Sequence, residues 1–222
     1  MRRILKVVVW VLVVSLCLPV HVMALGGISE GSNVKDVVAV LVYDGIAYEL
    51  DPMELNELEL NGLETFVEEN DISTTMAVAD QIEPRNQPGD INTYFEEEGT
   101  DVLKYDMAVY VTPEFQGPCD LSYGESRTIT STFSGSFSLS IKKIIAVDAG
   151  GSYSVSSNKD FGATFPVKEF ETARIQFVPR MRHTVGTYCY DSFTCYDVDA
   201  YIAKKVHGFA DGLYRKVVTG VG

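Results

Sequence analysis

Three arginines stand at alternating positions of one extended run. Residues 174–182 read Arg-Ile-Gln-Phe-Val-Pro-Arg-Met-Arg, with Ile175, Phe177 and Met181 on one side and Arg174, Gln176, Arg180 and Arg182 on the other. An arginine presents a planar fork of donors that suits phosphate or carboxylate. A row of them on a strand is a candidate anion-binding face, or a face that pairs with acids elsewhere in the chain. Just downstream, Tyr188, Tyr190 and Tyr196 cluster around Cys189 and Cys195. Aromatic rings on paired strands stabilise a sheet or form a recognition surface. Candidate binding residues are therefore Arg174, Arg180, Arg182, Tyr188, Tyr190 and Tyr196.

Catalytic constellations are harder to find. The HExxH, GxSxG, P-loop and Rossmann glycine patterns are all absent from the sequence. His183 and His207 do not make a zinc set, and Asp197 and Asp199 sit two apart on one strand face rather than across a cleft. Asp90, Asn92 and the run Glu96-Glu97-Glu98 match a calcium loop only loosely, because the glycine that such a loop needs at its sixth position is missing. A thiol nucleophile would need a base beside it, which only the two histidines offer. The expectation is a non-enzymatic chain with no metal and no cofactor.

The elements that must carry these residues begin with a leader. Residues 1–6 are positively charged, 7–20 are almost wholly apolar, and Ala24 closes a segment suited to signal peptidase. The reading is a signal peptide over 1–24, and hence a secreted, extracellular chain; an uncleaved anchor and lipid attachment at Cys17 are the alternatives. Of four cysteines, Cys119, Cys189 and Cys195 would remain after cleavage. Five residues separate Cys189 from Cys195, so a hairpin would join them as a disulfide; Cys119 with either one is the rival pairing.

The formal net charge is -13, unevenly spread. Residues 25–125 hold 23 acids against 3 bases, and residues 126–222 hold 8 against 12. Nucleic acid is not an expected partner, since the chain as a whole repels phosphate. The composition divides the chain into an acidic mixed α/β region, 25–125, and a Ser/Thr-rich antiparallel β region, 126–222.

Within the first region, residues 25–32 read as a loose terminus. The apolar run 37–43, the dipeptide Asp44-Gly45 and the run 46–50 read as a hairpin. Asp51, Pro52 and Glu54 spell a capping box, opening a helix that uses Leu55, Leu58, Leu63, Phe66 and Val67 inward and is interrupted at Gly62. Residues 70–102 are rich in turn formers, with a short helix expected over 91–98. A strand is expected over 103–111 and a loop over 112–124.

The second region opens with a long alternation. Odd positions from 129 to 141 include Ile129, Phe133, Phe137, Leu139 and Ile141, while Thr130, Thr132, Ser134, Ser136, Ser138 and Ser140 fill the even ones. A period of two predicts one long strand over 127–141. Alternation at 152–156 and 161–167 predicts two more strands, Pro166 marking an edge. Residues 187–190 and 196–202 predict a hairpin, and the last twenty residues a final strand with a frayed tail. The fold class expected is mainly β: an elongated antiparallel sheet or β-sandwich, with a small acidic helical and loop region in the N-terminal half.

Stretches 131–140 and 151–156, Pro166-Val167-Lys168, and Ala173-Arg174-Ile175 with Pro179 resemble a set of secreted proteins of Gram-positive bacteria to which no activity is assigned. More distantly, the layout is similar to the insertion region of aerolysin-like β-pore-forming proteins. That resemblance implies a membrane-active hairpin within 133–156, with Phe133, Phe137, Leu139 and Ile141 facing lipid and Lys142, Lys143 and Asp148 at its tip. The function expected is binding to an extracellular surface or protein partner, or, on the second resemblance, membrane activity by β-pore formation with a lipid membrane as partner.

Overall fold

The computed structural model describes residues 37–72, 94–189 and 195–222, with backbone alone over 94–98. The expected leader, the loose terminus, Asp90, Asn92 and Tyr190 lie outside the described residues. In chain order the elements are β1 Ala39–Tyr43, β2 Ile46–Leu50, α1 Pro52–Asn61, α2 Leu63–Glu69, β3 Tyr94–Leu103, a 3-10 turn Tyr105–Met107, β4 Val109–Tyr110, β5 Phe115–Gln116 and β6 Cys119–Tyr123. Then follow β7 Thr128–Thr130, β8 Thr132–Phe133, α3 Leu139–Asp148, β9 Ser154–Ser157, β10 Asp160–Val167, β11 Glu171–Cys189, β12 Cys195–Ala203, β13 Lys205–Val206, β14 Phe209–Ala210 and β15 Gly212–Val221. The architecture is mainly β with antiparallel sheets; β14 and β9 form the one parallel pair among the described residues.

The 19-residue strand β11 is the spine. Its first half pairs with β15, from Glu171↔Val221 to Pro179↔Gly212. Its second half pairs with β12, from Met181↔Ala203 to Cys189↔Cys195. On the other edge β3 follows it from Cys189↔Tyr94 to Arg180↔Leu103, and β4 and β5 continue along Phe177, Gln176, Ala173 and Thr172. Neighbours therefore change over on both edges around Pro179 and Arg180. Pro179 has no N–H to offer a ladder, and its carbonyl accepts from the Lys104 N–H at 2.9 Å.

Sequence pattern explains most elements. Asp44 and Gly45 take positive φ, 50° and 78°, as a two-residue hairpin turn requires. Asp51 caps α1 through the Met53 and Glu54 N–H groups, and Glu54 reaches back to the Asp51 N–H at 2.8 Å. Gly62 divides α1 from α2, and Leu58, Leu63 and Phe66 pack with Ala39, Leu41, Val178 and Leu213 under the first half of the sheet. The opposite face there carries Ile175, Phe177 and Tyr214 against Phe161, Phe165 and Val167 of β10. The second half of β11 and β12 packs Tyr188, Val198, Ala200 and Ile202 against Ile145, Ala146 and Ala149 at α3.

Four expectations are corrected. The single strand over 127–141 does not form: after β7 and β8 the chain turns at Gly135, φ 116°, and enters α3. Ser138 caps that helix by accepting from the Ile141 N–H at 3.4 Å, so one of the hydroxyls counted as a strand's polar face starts a helix instead. Ile141, Ile145 and Ala149, spaced by four, supply its inward stripe. The short helix expected over 91–98 is also overturned, because 94–98 belong to β3. The acidic run is helix-compatible by propensity, but the ladder along β11 wins. Finally, the strand expected over 103–111 is broken by the turn Tyr105–Met107, and the loop expected over 112–124 contains β5 and β6.

Candidate functional site

Alternation along β11 places Arg174, Arg180 and Arg182 on the same side of the strand, yet in three different settings. Arg174 stacks on the Tyr110 ring, its guanidinium carbon 3.4 Å from the ring centre, with Glu114 at 3.8 Å. Arg182 is half-buried, and Gly99 across the ladder leaves it room: a Cβ there would lie 2.7 Å from its Nε. Arg180 is the buried one, its side chain 4% exposed. Its Nε donates to Asp101 at 2.9 Å, its Nη2 also reaches Asp101, and its Nη1 donates to Asp44 at 2.8 Å and to Asp211 at 3.2 Å. The Tyr43 ring covers the guanidinium at 3.7 Å.

This cluster ties the β1–β2 turn, β3 and the start of β15 to the point where β11 changes neighbours. Burial works against the Arg180 charge, but Asp101 and Asp44 outweigh it and push its pKa upward. Three carboxylates share one cation, and Asp211, 2% exposed, bears the consequence. Burial raises its pKa to about 6, against the lowering pull of Arg180 and the Asp44 N–H. Asp101 Oδ1 is buried with no hydrogen-bond partner among the described residues. Sequence reading missed the three aspartates, since nothing in their spacing marks a common partner. The Asp44-Gly45 turn and the arginine row were visible separately.

Beyond Arg180 the strands β3, β11 and β12 run on to the Cys189–Cys195 disulfide, whose Cα atoms are 4.1 Å apart. Cys119 stays outside it, as a half-buried free thiol. Tyr188 is buried beneath α3, whereas Tyr196 sits at the rim with its ring edge-on to Phe137, centroids 6.1 Å apart. Of the four residues expected to face lipid, Phe133, Phe137 and Ile141 pack against the core under α3, and Leu139 is exposed.

The opposite face of this half-sheet carries His183, Val185 and Thr187 on β11 beside Tyr201, Asp199 and Asp197 on β12. His183 Nε2 is 3.0 Å from Asp199 Oδ1, and its ring stacks on Tyr201 at 4.5 Å. The Lys104 ammonium lies over the same Tyr201 ring, 4.2 Å from its centre. Next to them is an open depression of about 460 Å³ lined by Ser134, Val185, Gly186, Thr187, Asp197, Val198 and Asp199. Val185 among them is 51% exposed. An isolated valine flanked by two carboxylates and two hydroxyls suits a partner that offers both an apolar contact and hydrogen-bond donors. Among the described residues no group of three or more His, Cys, Asp or Glu is placed to hold a metal ion.

No protein-family model matches the chain, and comparison with curated proteins and with solved structures found no match.

Proposed function

We propose that this chain is a secreted, non-enzymatic binding domain. Its recognition surface is the open face of the β11–β12 hairpin, and its partner is a protein met outside the cell. The carrying observation is the contrast between the two faces of the same strands. Tyr188, Val198, Ala200 and Ile202 are buried under α3, while Val185, Asp197 and Asp199 on the other face of the same strands are exposed. Val185 lines the same open depression as Ser134, Thr187, Asp197 and Asp199, which sets an apolar contact beside hydroxyls and carboxylates. The disulfide at the tip and the His183–Tyr201 stack hold the surface in one shape before binding, which reduces the entropy lost on association. The carboxylates select a partner bearing lysine, arginine or hydroxyl donors.

The test is a photo-reactive residue placed at Val185, with Leu60 on the exposed side of α1 as the control position. Incubation with intact cells of the producing organism and their extracellular matrix should give a protein adduct at Val185. The adduct should be competed by excess unlabelled chain, weakened by Asp197→Lys, and not formed from Leu60. Equal capture at both positions, or none at Val185, refutes the assignment.

A further inference from the structure

We propose that the cavity between two hairpin turns is a binding site for an alkylammonium group. Asp44-Gly45 joins β1 to β2, and His207-Gly208 joins β13 to β14. All four residues take positive φ: 50°, 78°, 49° and 93°. The turns lie against each other. A Cβ at Gly45 would stand 2.8 Å from His207 Cδ2, so glycine is what lets the imidazole approach. The two turns share a cavity of about 90 Å³, whose walls include Gly45, Asn158, His207, Phe209, Asp211 and Tyr214. One water takes about 10–15 Å³ of such space. The cavity therefore admits a group of a few heavy atoms rather than a ligand of drug size. Its exposed wall residues, His207 and Phe209, form the mouth.

The walls select a cation. Asp211 is 2% exposed, and its carboxylate accepts from the Asp44 N–H at 2.7 Å, which sets it against the turn that walls the cavity. His207, Phe209 and Tyr214 supply three rings. The Tyr214 hydroxyl donates to the Asn158 carbonyl at 3.0 Å, so its proton is already used. The Arg180 guanidinium is spent on Asp44, Asp101 and Asp211, three carboxylates against one cation. Burial pushes the Asp211 pKa up to about 6 even with Arg180 beside it; a second cation would offset that cost. A metal ion is the poorer occupant, because among the described residues no three His, Cys, Asp or Glu are placed to hold one. An alkylammonium meets both parts of the wall, its N–H groups on the carboxylate and its carbons on the rings. The charged and titratable groups around Asp211 and Arg180 are Asp44 and Tyr43 at the end of β1 and Asp101 on β3, with His207 and Tyr214 on the cavity wall and Asp160 of β10 near Tyr214. This site shares no lining residue with the depression on β11 and β12, so it stands independently of the protein contact proposed above.

The measurement is a titration of the isotope-labelled full chain, followed by amide chemical shifts at about pH 7.5, where Asp211 is ionised. The probes are methylammonium chloride and N-acetyl-lysine methylamide, with sodium chloride at equal ionic strength as the blank. Methylammonium should shift the Gly45, Gly208 and Phe209 amides saturably. Saturation by the lysine derivative as well opens the site to protein side chains, and saturation by methylammonium alone assigns it to free amines; either result supports the proposal. Affinity should fall by about tenfold or more at about pH 4.5, where Asp211 is protonated. Asp211→Asn should lose the saturable shifts. Phe209→Ala, at an exposed position, should weaken binding by about fivefold or more with circular dichroism unchanged. Glu68→Gln, on α2, should bind as the parent does. The proposal is overturned if sodium chloride reproduces the shifts, if they rise without saturating, if affinity is the same at both pH values, if Asp211→Asn and Phe209→Ala bind as the parent does, or if Glu68→Gln is weakened equally.

Discussion

Replacing Arg180 by leucine removes the one cation shared by Asp44, Asp101 and Asp211. The guanidinium is 4% exposed and Asp211 2%, so solvent cannot take its place. Breaking a buried pair by deleting one partner costs about 3–5 kcal/mol, and that is the loss expected at neutral pH. The cost should depend on pH through Asp211. Its folded pKa of about 6 lies above its ordinary value of 3.8, so the native state holds this proton more tightly than the unfolded chain does. Stability contributed by the protonated acid is complete below the ordinary value and is lost as pH rises through about 6. A shift of this size corresponds to about 3 kcal/mol across that window. Two variants separate the terms. Asp211→Asn cannot titrate, so its stability relative to the parent should rise by about 2 kcal/mol between about pH 4.5 and about pH 7.5, the part of the window those two points span. Arg180→Leu should cost about 1–2 kcal/mol less at acid pH, where Asp211 folds as a neutral acid. Urea unfolding followed by far-ultraviolet circular dichroism, at about pH 4.5 and about pH 7.5, reads both. Taking differences between variants cancels the other carboxylates. The reasoning is refuted if Arg180→Leu costs less than about 1 kcal/mol, or if Asp211→Asn leaves the pH dependence unchanged.

Substituting Cys189 and Cys195 together by serine reopens a loop of seven residues; loop-closure entropy assigns this about 2 kcal/mol, measurable as a lower urea midpoint. Asp51→Ala removes the cap that accepts from the Met53 and Glu54 N–H groups, and should lower stability by about 1 kcal/mol with no change in the hairpin surface. Gly212→Ala places a Cβ 2.3 Å from the Val178 carbonyl oxygen, beside the changeover of β11. Backbone must move to admit it, so a loss above about 2 kcal/mol is expected in the same unfolding assay, whereas Gly208→Ala meets no atom within 4 Å and should show only the smaller effect of a positive φ.

Local chemistry was enough to read the parts of this chain that make their own structure. The Asp44-Gly45 turn, the Asp51–Glu54 capping box, the break at Gly62, the alternation of β10 and the Cys189–Cys195 hairpin each depend on residues within a few positions of one another. Neighbours in sequence supply both the geometry and the hydrogen-bond partners there, so the pattern is sufficient. The alternating run from Ile129 to Ile141 was not readable in this way. Its serines satisfy a strand's polar face and a helix cap equally well, and the choice went to the helix because Ile145, Ala146 and Ala149 had Tyr188, Val198 and Ile202 to cover. The edge of β11 likewise drew 94–98 into a strand against the propensity of its glutamates. The arginine row shows the limit most clearly. Alternation put Arg174, Arg180 and Arg182 on one side, but what each meets depends on residues up to 136 positions away, as between Arg180 and Asp44. Sequence by itself determined which residues share a face; tertiary packing alone decided which face is buried, because burial depends on what the rest of the chain brings to lie on it.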